Sequence, residues 1–86
     1  IMYSPRKETE AQALKEQLNE LGFEVNMLKI THLSHTRFVA NKNEVTVDFL
    51  NWLQKKMPEL NGMQFIYDPT ETFSVGSDFT IILAEG

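Results

Sequence analysis

Ala11, Leu14, Leu18 and Leu21 recur three or four residues apart, the spacing of one face of an α-helix. Lys7, Glu8, Lys15, Glu16 and Glu20 fall largely off that stripe, so the pattern predicts an amphipathic helix with one wet side. Ser4-Pro5 offers an N-cap and a first helical position, because proline lacks only an N–H that would have no partner there. Thr9 with Gln12 forms a later capping box, which leaves the start defined to within about one turn. Gly22 ends the helix, since it accepts a positive φ at little cost. A second stripe of Val47, Leu50, Leu53 and Met57, widened by Phe49 and Trp52, predicts another helix. The Asn41-Lys42-Asn43 turn leads into it with Asn43 as a cap, and Pro58 closes it.

The segments between read as strands. Ile1–Tyr3 is short, apolar and aromatic. Phe23, Val25 and Met27 alternate with Glu24 and Asn26, and Leu28 and Ile30 extend the run. Thr36–Val39 is β-branched and aromatic, and Met63, Phe65 and Tyr67 alternate with Gln64 and Ile66. Phe73–Ser77 reads as a loop or a short extended piece. In the closing run Phe79–Leu83 only Thr80 is polar, which predicts an interior strand covered on both faces. Its second face would be covered by long side chains, a partner protomer or a parent protein. The order is β-α-β-β-α-β-β: an α+β two-layer sandwich, a mixed sheet of four or five strands with two helices packed on one face. Right-handed crossovers through the helices would join the flanking strands.

Length and charge narrow the picture. Eighty-six residues suffice for one domain, 1–86, and not for a second core. The chain opens at Ile1 within an apparent strand, so the sequence is read as a piece excised from a longer protein. Any targeting segment would then lie in the part removed. The net charge of −4 disfavours nucleic acid, where affinity begins with Lys and Arg on phosphates. After Lys56 come only acids, Glu59, Asp68, Glu71, Asp78 and Glu85, which form a solvated acidic end or a surface for a cationic partner. Without cysteine there is no disulfide, Cys-type zinc site or thiol nucleophile. No apolar run approaches the ~18 residues of a membrane span, so no direct membrane insertion is expected.

Candidate chemistry is sparse. His32 and His35 lie three apart in a loop, but no HxH, HExxH or Cys cluster completes a metal site. Ser34-His35 pairs a hydroxyl with an imidazole, yet adjacent residues seldom make the hydrogen bond that activation needs. Asp68 and Asp78 would serve as an acid/base pair, although Asp68-Pro69 is ordinary turn chemistry and Asp78 suits a turn or cap. The four glycines are scattered, so no phosphate loop forms. Trp52 packs against a sheet edge or anchors a partner surface. Arg37 is either an edge-strand charge that discourages pairing or an anion-binding side chain on an open sheet face. No cofactor, no metal and no catalytic residue is expected. Arg37, Tyr67 and Asp78 are the candidate ligand or partner contacts.

Three stretches together resemble a known family. They are ALKEQLNELGFEV at 13–25, HTRFVANKNEVTVDFLNWL at 35–53 and SDFTIIL at 77–83. The Gly-Phe-x-Val strand opening, the Thr-x-hydrophobic strand and the Asp before a closing Ile-rich strand look like the C-terminal accessory domain of LytR-CpsA-Psr cell-envelope proteins. Ser4-Pro5 stands where that family has an Asn-Gly turn. The resemblance implies an extracytoplasmic, non-catalytic module on a membrane-anchored parent, contacting cell-wall polymer or a protein partner. The element order is also similar to that of the sporulation-related repeat domain, which binds peptidoglycan glycan on its sheet. The alternative is a structural domain, possible as a homodimer through a sheet edge or face, with no small ligand. A third reading is a small hydrolase or transferase using Asp68, Asp78 and a histidine.

Overall fold

In the computed structural model, which describes residues 1–33, 35–70 and 78–84, two helices pack against a five-stranded mixed sheet. The strands are β1 (Met2–Tyr3), β2 (Leu28–Lys29), β3 (Arg37–Ala40), β4 (Gln64–Tyr67) and β5 (Phe79–Leu83). The helices are α1 (Glu8–Glu20) and α2 (Val47–Lys56). The sheet order is β2-β1-β5-β3-β4, so the closing strand holds the centre, as its apolar run predicts. Thr80 and Ile82 point to one side of β5, Ile81 and Leu83 to the other, and all four are buried. Both faces are therefore covered within one chain. Phe79, at the head of the strand, is half-buried. The Phe73–Ser77 piece lies outside the described residues.

The chain divides into two compact units, Ile1–Thr36 with Ile82–Gly86, and Arg37–Ile81. Each contains a strand, a helix and a parallel neighbouring strand, and β5 contributes to both. In the first, β1 runs parallel to β2 (Met2↔Leu28, Tyr3↔Lys29) and to β5 (Met2↔Ile82, Tyr3↔Leu83). The expected strand through Phe23, Val25 and Met27 is shorter than its alternation implies. Those three are half-buried while Glu24 and Asn26 are exposed, yet only Leu28 and Lys29 enter a ladder. The cause is the partner: β1 is two residues long and supplies register for only two.

The start of α1 also differs from the expected cap. Ser4 is extended and buried, and its side chain makes no capping bond. Pro5–Lys7 instead form a 3-10 turn, and the α-helix begins at Glu8. Its end follows the sequence. Gly22 takes φ +96°, its N–H donates to Asn19 O at 3.0 Å, and Phe23 N–H donates to Leu18 O at 3.0 Å. These paired bonds satisfy carbonyls that the helix would otherwise leave open. No atom lies within 4 Å of a Cβ built at Gly22, so only the backbone resists a side chain there. Gly22→Ala is expected to lower stability by about 1 kcal/mol, the cost of the left-handed conformation, read as a shifted urea midpoint at unchanged slope.

In the second unit β3 and β4 are parallel, with Arg37↔Gln64, Phe38↔Phe65, Val39↔Ile66 and Ala40↔Tyr67. Asn41, just past β3, donates its N–H to the carbonyl of Asp78, just before β5, so these two strands run antiparallel. Helix α2 is capped by Thr46 rather than Asn43: Thr46 Oγ1 accepts the Phe49 N–H at 3.3 Å. Val45 and Leu50 stand at the spacing of a hydrophobic staple around that cap and are both buried. Leu50, Leu53 and Met57 are buried as predicted, but Val47 is 52% exposed. With Thr46 as cap, Val47 becomes the first helical residue, and Val45 takes the buried position in its place. Proline ends the helix: α2 stops at Lys56, and Pro58–Leu60 form a 3-10 turn.

Aromatic rings fill this unit. Phe38 is fully buried, stacked on Phe79 at 5.1 Å and on Phe65 at 6.0 Å between ring centroids, with Phe49 of α2 at 6.4 Å. Phe49 meets Phe79 edge-on at 5.3 Å. These offset and edge arrangements suit ring quadrupoles and fix which sheet face lies under α2.

Candidate functional site

Strand parity sorts the second unit into two faces. Phe38 and Ala40 of β3 lie on the side of α2, and their register partners Phe65 and Tyr67 lie there too. Arg37, Val39 and Asn41 belong to the opposite side, together with Gln64, Ile66 and Thr80. From the sequence, Arg37 and Tyr67 are grouped as candidate contacts of one ligand or partner. The structure separates them: they occupy opposite faces and opposite ends of the β3–β4 pair. Arg37 pairs in register with Gln64, three residues before Tyr67, which at ~3.3 Å per residue is about 10 Å along the strand. Nor is Arg37 an edge charge, because β3 lies between β5 and β4.

Tyr67 does border a concavity. A groove of about 280 Å³ lies beside the first turn of α2, lined by Asn43, Val45, Thr46, Val47, Phe65 and Tyr67. Tyr67 is 47% exposed, and its hydroxyl donates to Asn43 Oδ1, which ties the ring across one end of the groove. The lining is apolar and aromatic, with an amide and two hydroxyls and no ionisable carboxylate, imidazole or amine. It suits adsorption of an apolar or polyhydroxyl surface better than proton transfer. The sequence reading missed Asn43, Val45, Thr46, Val47 and Phe65 as a group, because it assigned Val47 to the core and the helix cap to Asn43. The staple spacing of Val45 and Leu50 around Thr46 was the available signal.

The other candidates disperse. Asp78 is largely exposed, pairs with Lys42 Nζ at 3.0 Å and accepts the Asn41 N–H through its carbonyl. It is a turn residue at the head of β5, outside the groove. Asp68 closes its own turn, its Oδ1 accepting the Thr70 N–H at 3.1 Å and the Thr70 hydroxyl, and Asp68 N–H donates to Ala40 O at 2.7 Å. The carboxylates of Asp68 and Asp78 are thus each engaged in local structure. His32 adopts φ +70°, and no group of three His, Cys, Asp or Glu suited to a metal occurs among the described residues. Ser34, Glu71 and Glu85 lie outside those residues. Trp52 is 43% exposed and stacks on Phe49 at 6.0 Å, with Lys56 Nζ 5.9 Å from its ring centroid. It forms the outer layer of the aromatic cluster rather than a plug at a sheet edge. No helix among the described residues is long and apolar enough to cross a membrane.

No protein-family profile matches the chain, and no curated protein or solved structure shows significant similarity to it.

Proposed function

We propose that the chain is a non-catalytic accessory domain of a bacterial cell-envelope protein, held outside the cytoplasm by a membrane-anchored parent. In this reading it binds cell-wall polymer or a protein partner and transforms neither. The observation that carries it is the groove at Tyr67. Its aromatic and aliphatic walls, with Asn43 and Thr46 at the lip, offer contact area and a few oriented polar groups without an acid or base. The resemblance of residues 13–25, 35–53 and 77–83 to LytR-CpsA-Psr accessory domains supports the envelope setting.

The test is co-sedimentation of the purified domain with bacterial wall material, comparing wild type with Tyr67→Ala. The expected result is retention of the wild type on wall material or on an envelope protein attached to it. Tyr67→Ala should lower retention by about tenfold, the equivalent of ~1.4 kcal/mol. Loss of Tyr67 with no change in retention would remove the groove from the reading. No retention on walls and no envelope protein bound would remove the reading itself.

A further inference from the structure

The groove borders the outer side of β4, which among the described residues is a sheet edge. Among the described residues β4 is the last strand in the order β2-β1-β5-β3-β4, with one partner, β3. In a parallel ladder the N–H and C=O of alternate residues turn toward the same neighbour. Asp68 N–H donates to Ala40 O, so residues 64, 66 and 68 direct their backbone groups at β3. The N–H and C=O of Phe65 and Tyr67 therefore point away from the sheet, where none of the described residues meets them. Those same two residues send their side chains into the groove wall. Among the described residues a backbone edge without a neighbour and a shallow apolar groove thus lie side by side, the groove lined also by Val45, Thr46 and Val47.

No side chain of β4 discourages pairing. Its sequence Gln64-Phe65-Ile66-Tyr67 has no charge, no proline and no glycine, whereas edges are commonly blunted by Lys, Pro or a bulge. We infer that this edge takes up an extended peptide segment of a partner protein as a sixth strand, with one aliphatic side chain of that segment seated in the groove. The inference rests on the binding-domain reading above and selects the protein partner from its two alternatives. Charge sets the flanks of the segment. Glu44 and Asp48 stand on either side of the lining segment Val45–Val47 and are exposed, while Lys42 is paired with Asp78. The complementary ligand is therefore an alternating β-branched strand bounded by Lys or Arg. A second copy of this chain fits less well. Its own β4 is four uncharged residues, and edge pairing of that length falls short of the ~800 Å² per partner of a stable dimer. Main-chain bonds supply affinity and the groove supplies selectivity, as in other strand-addition complexes.

The test uses the whole chain and the peptide Lys-Thr-Val-Thr-Val-Thr-Lys, followed by amide NMR and hydrogen exchange. The expected result is saturable shifts at Phe65, Ile66, Tyr67 and Val47, with slowed exchange of the Phe65 and Tyr67 amides. N-methylation of the peptide at the amides facing β4 should weaken binding at least about tenfold, two net hydrogen bonds' worth. Tyr67→Pro removes an outward N–H without touching the ladder to β3, and should weaken binding more than Tyr67→Ala does. If the proline variant does not fold, the methylated peptide on the native chain decides alone. Unchanged Phe65 and Tyr67 amides at millimolar peptide overturn the inference, as does equal binding of the methylated peptide. The same amides shifting with protein concentration in the absence of peptide would assign the edge to a second copy instead. Glycan fragments shifting the groove while the peptide does not would overturn strand addition and leave the binding-domain reading in place.

Discussion

Phe38→Ala should cost about 3–5 kcal/mol, the range for deleting a buried phenylalanine ring and leaving a cavity. Phe38 has no exposed surface, and it touches rings from three directions: Phe79 on β5, Phe65 on β4 and Phe49 on α2. The gap cannot close by collapse of one neighbour, because each of these rings is fixed by a different element. Domains of this kind have a total stability of only ~5–15 kcal/mol, so the loss is a large share of the whole. In a domain of this size each kcal/mol moves the melting temperature by about 4–8 °C, so Tm should fall by at least ~12 °C. Phe38→Leu should lose markedly less, since it keeps much of the volume. Thermal and urea unfolding followed by circular dichroism measure both. A loss below about 1 kcal/mol for Phe38→Ala would show that the four-ring cluster is not packed in solution.

The sequence pattern carried the architecture because periodicity reports which face of an element is dry. The Phe79–Leu83 run had no wet face and became the central strand, buried on both sides. Leu50, Leu53 and Met57 kept their stripe, and Gly22 kept its positive φ. The errors share a different origin. Whether Phe23–Met27 joins a ladder depends on the length of β1, which the local alternation cannot report. Whether Asn43 or Thr46 caps α2 is a competition between two good caps three residues apart, decided by the burial of Val45 and Leu50. The candidate contacts fared as loop and parity arguments allow. Tyr67 borders the groove, while Arg37 faces the other side of the sheet and Asp78 pairs with Lys42. Register decides such placements, and a shift of one residue would have moved every side chain of β4 to the other face.

Register also links fold to groove. Asp68-Pro69 ends β4 at the level where Ala40 ends β3, so Tyr67 stands last in its strand with its hydroxyl free to reach Asn43 on the loop that follows β3. That loop then delivers Val45, Thr46 and Val47 to the start of α2. The groove is thus a consequence of joining two parallel neighbours through a helix. Strand ends and the first helical turn converge at the carboxyl side of the pair, where parallel sheets tend to place their clefts.

Asn41 holds that end of the unit together, and its replacement should have the second large effect. It is buried, its Oδ1 accepts from Thr80 Oγ1 at 3.1 Å, and its Nδ2 donates to Asp68 O at 3.2 Å. One amide therefore ties the end of β3 to β5 and to the end of β4. Among the described residues no buried side-chain nitrogen or oxygen lacks a partner, so the network starts fully satisfied. Asn41→Ala strands the Thr80 hydroxyl and withdraws a donor from Asp68. At about 1–3 kcal/mol for each buried group left unpaired, the loss should reach several kcal/mol. Thr80→Val alone should cost less, since it orphans only the Asn41 oxygen. The double variant should cost less than the sum of the two, with a coupling of about 0.5–3 kcal/mol, because the second change removes a group the first had already stranded. Urea unfolding of the four proteins closes the cycle. Strict additivity would mean that the Thr80–Asn41 bond does not form in solution, and side-chain contact between β5 and β3 would then rest on the Phe38–Phe79 stack.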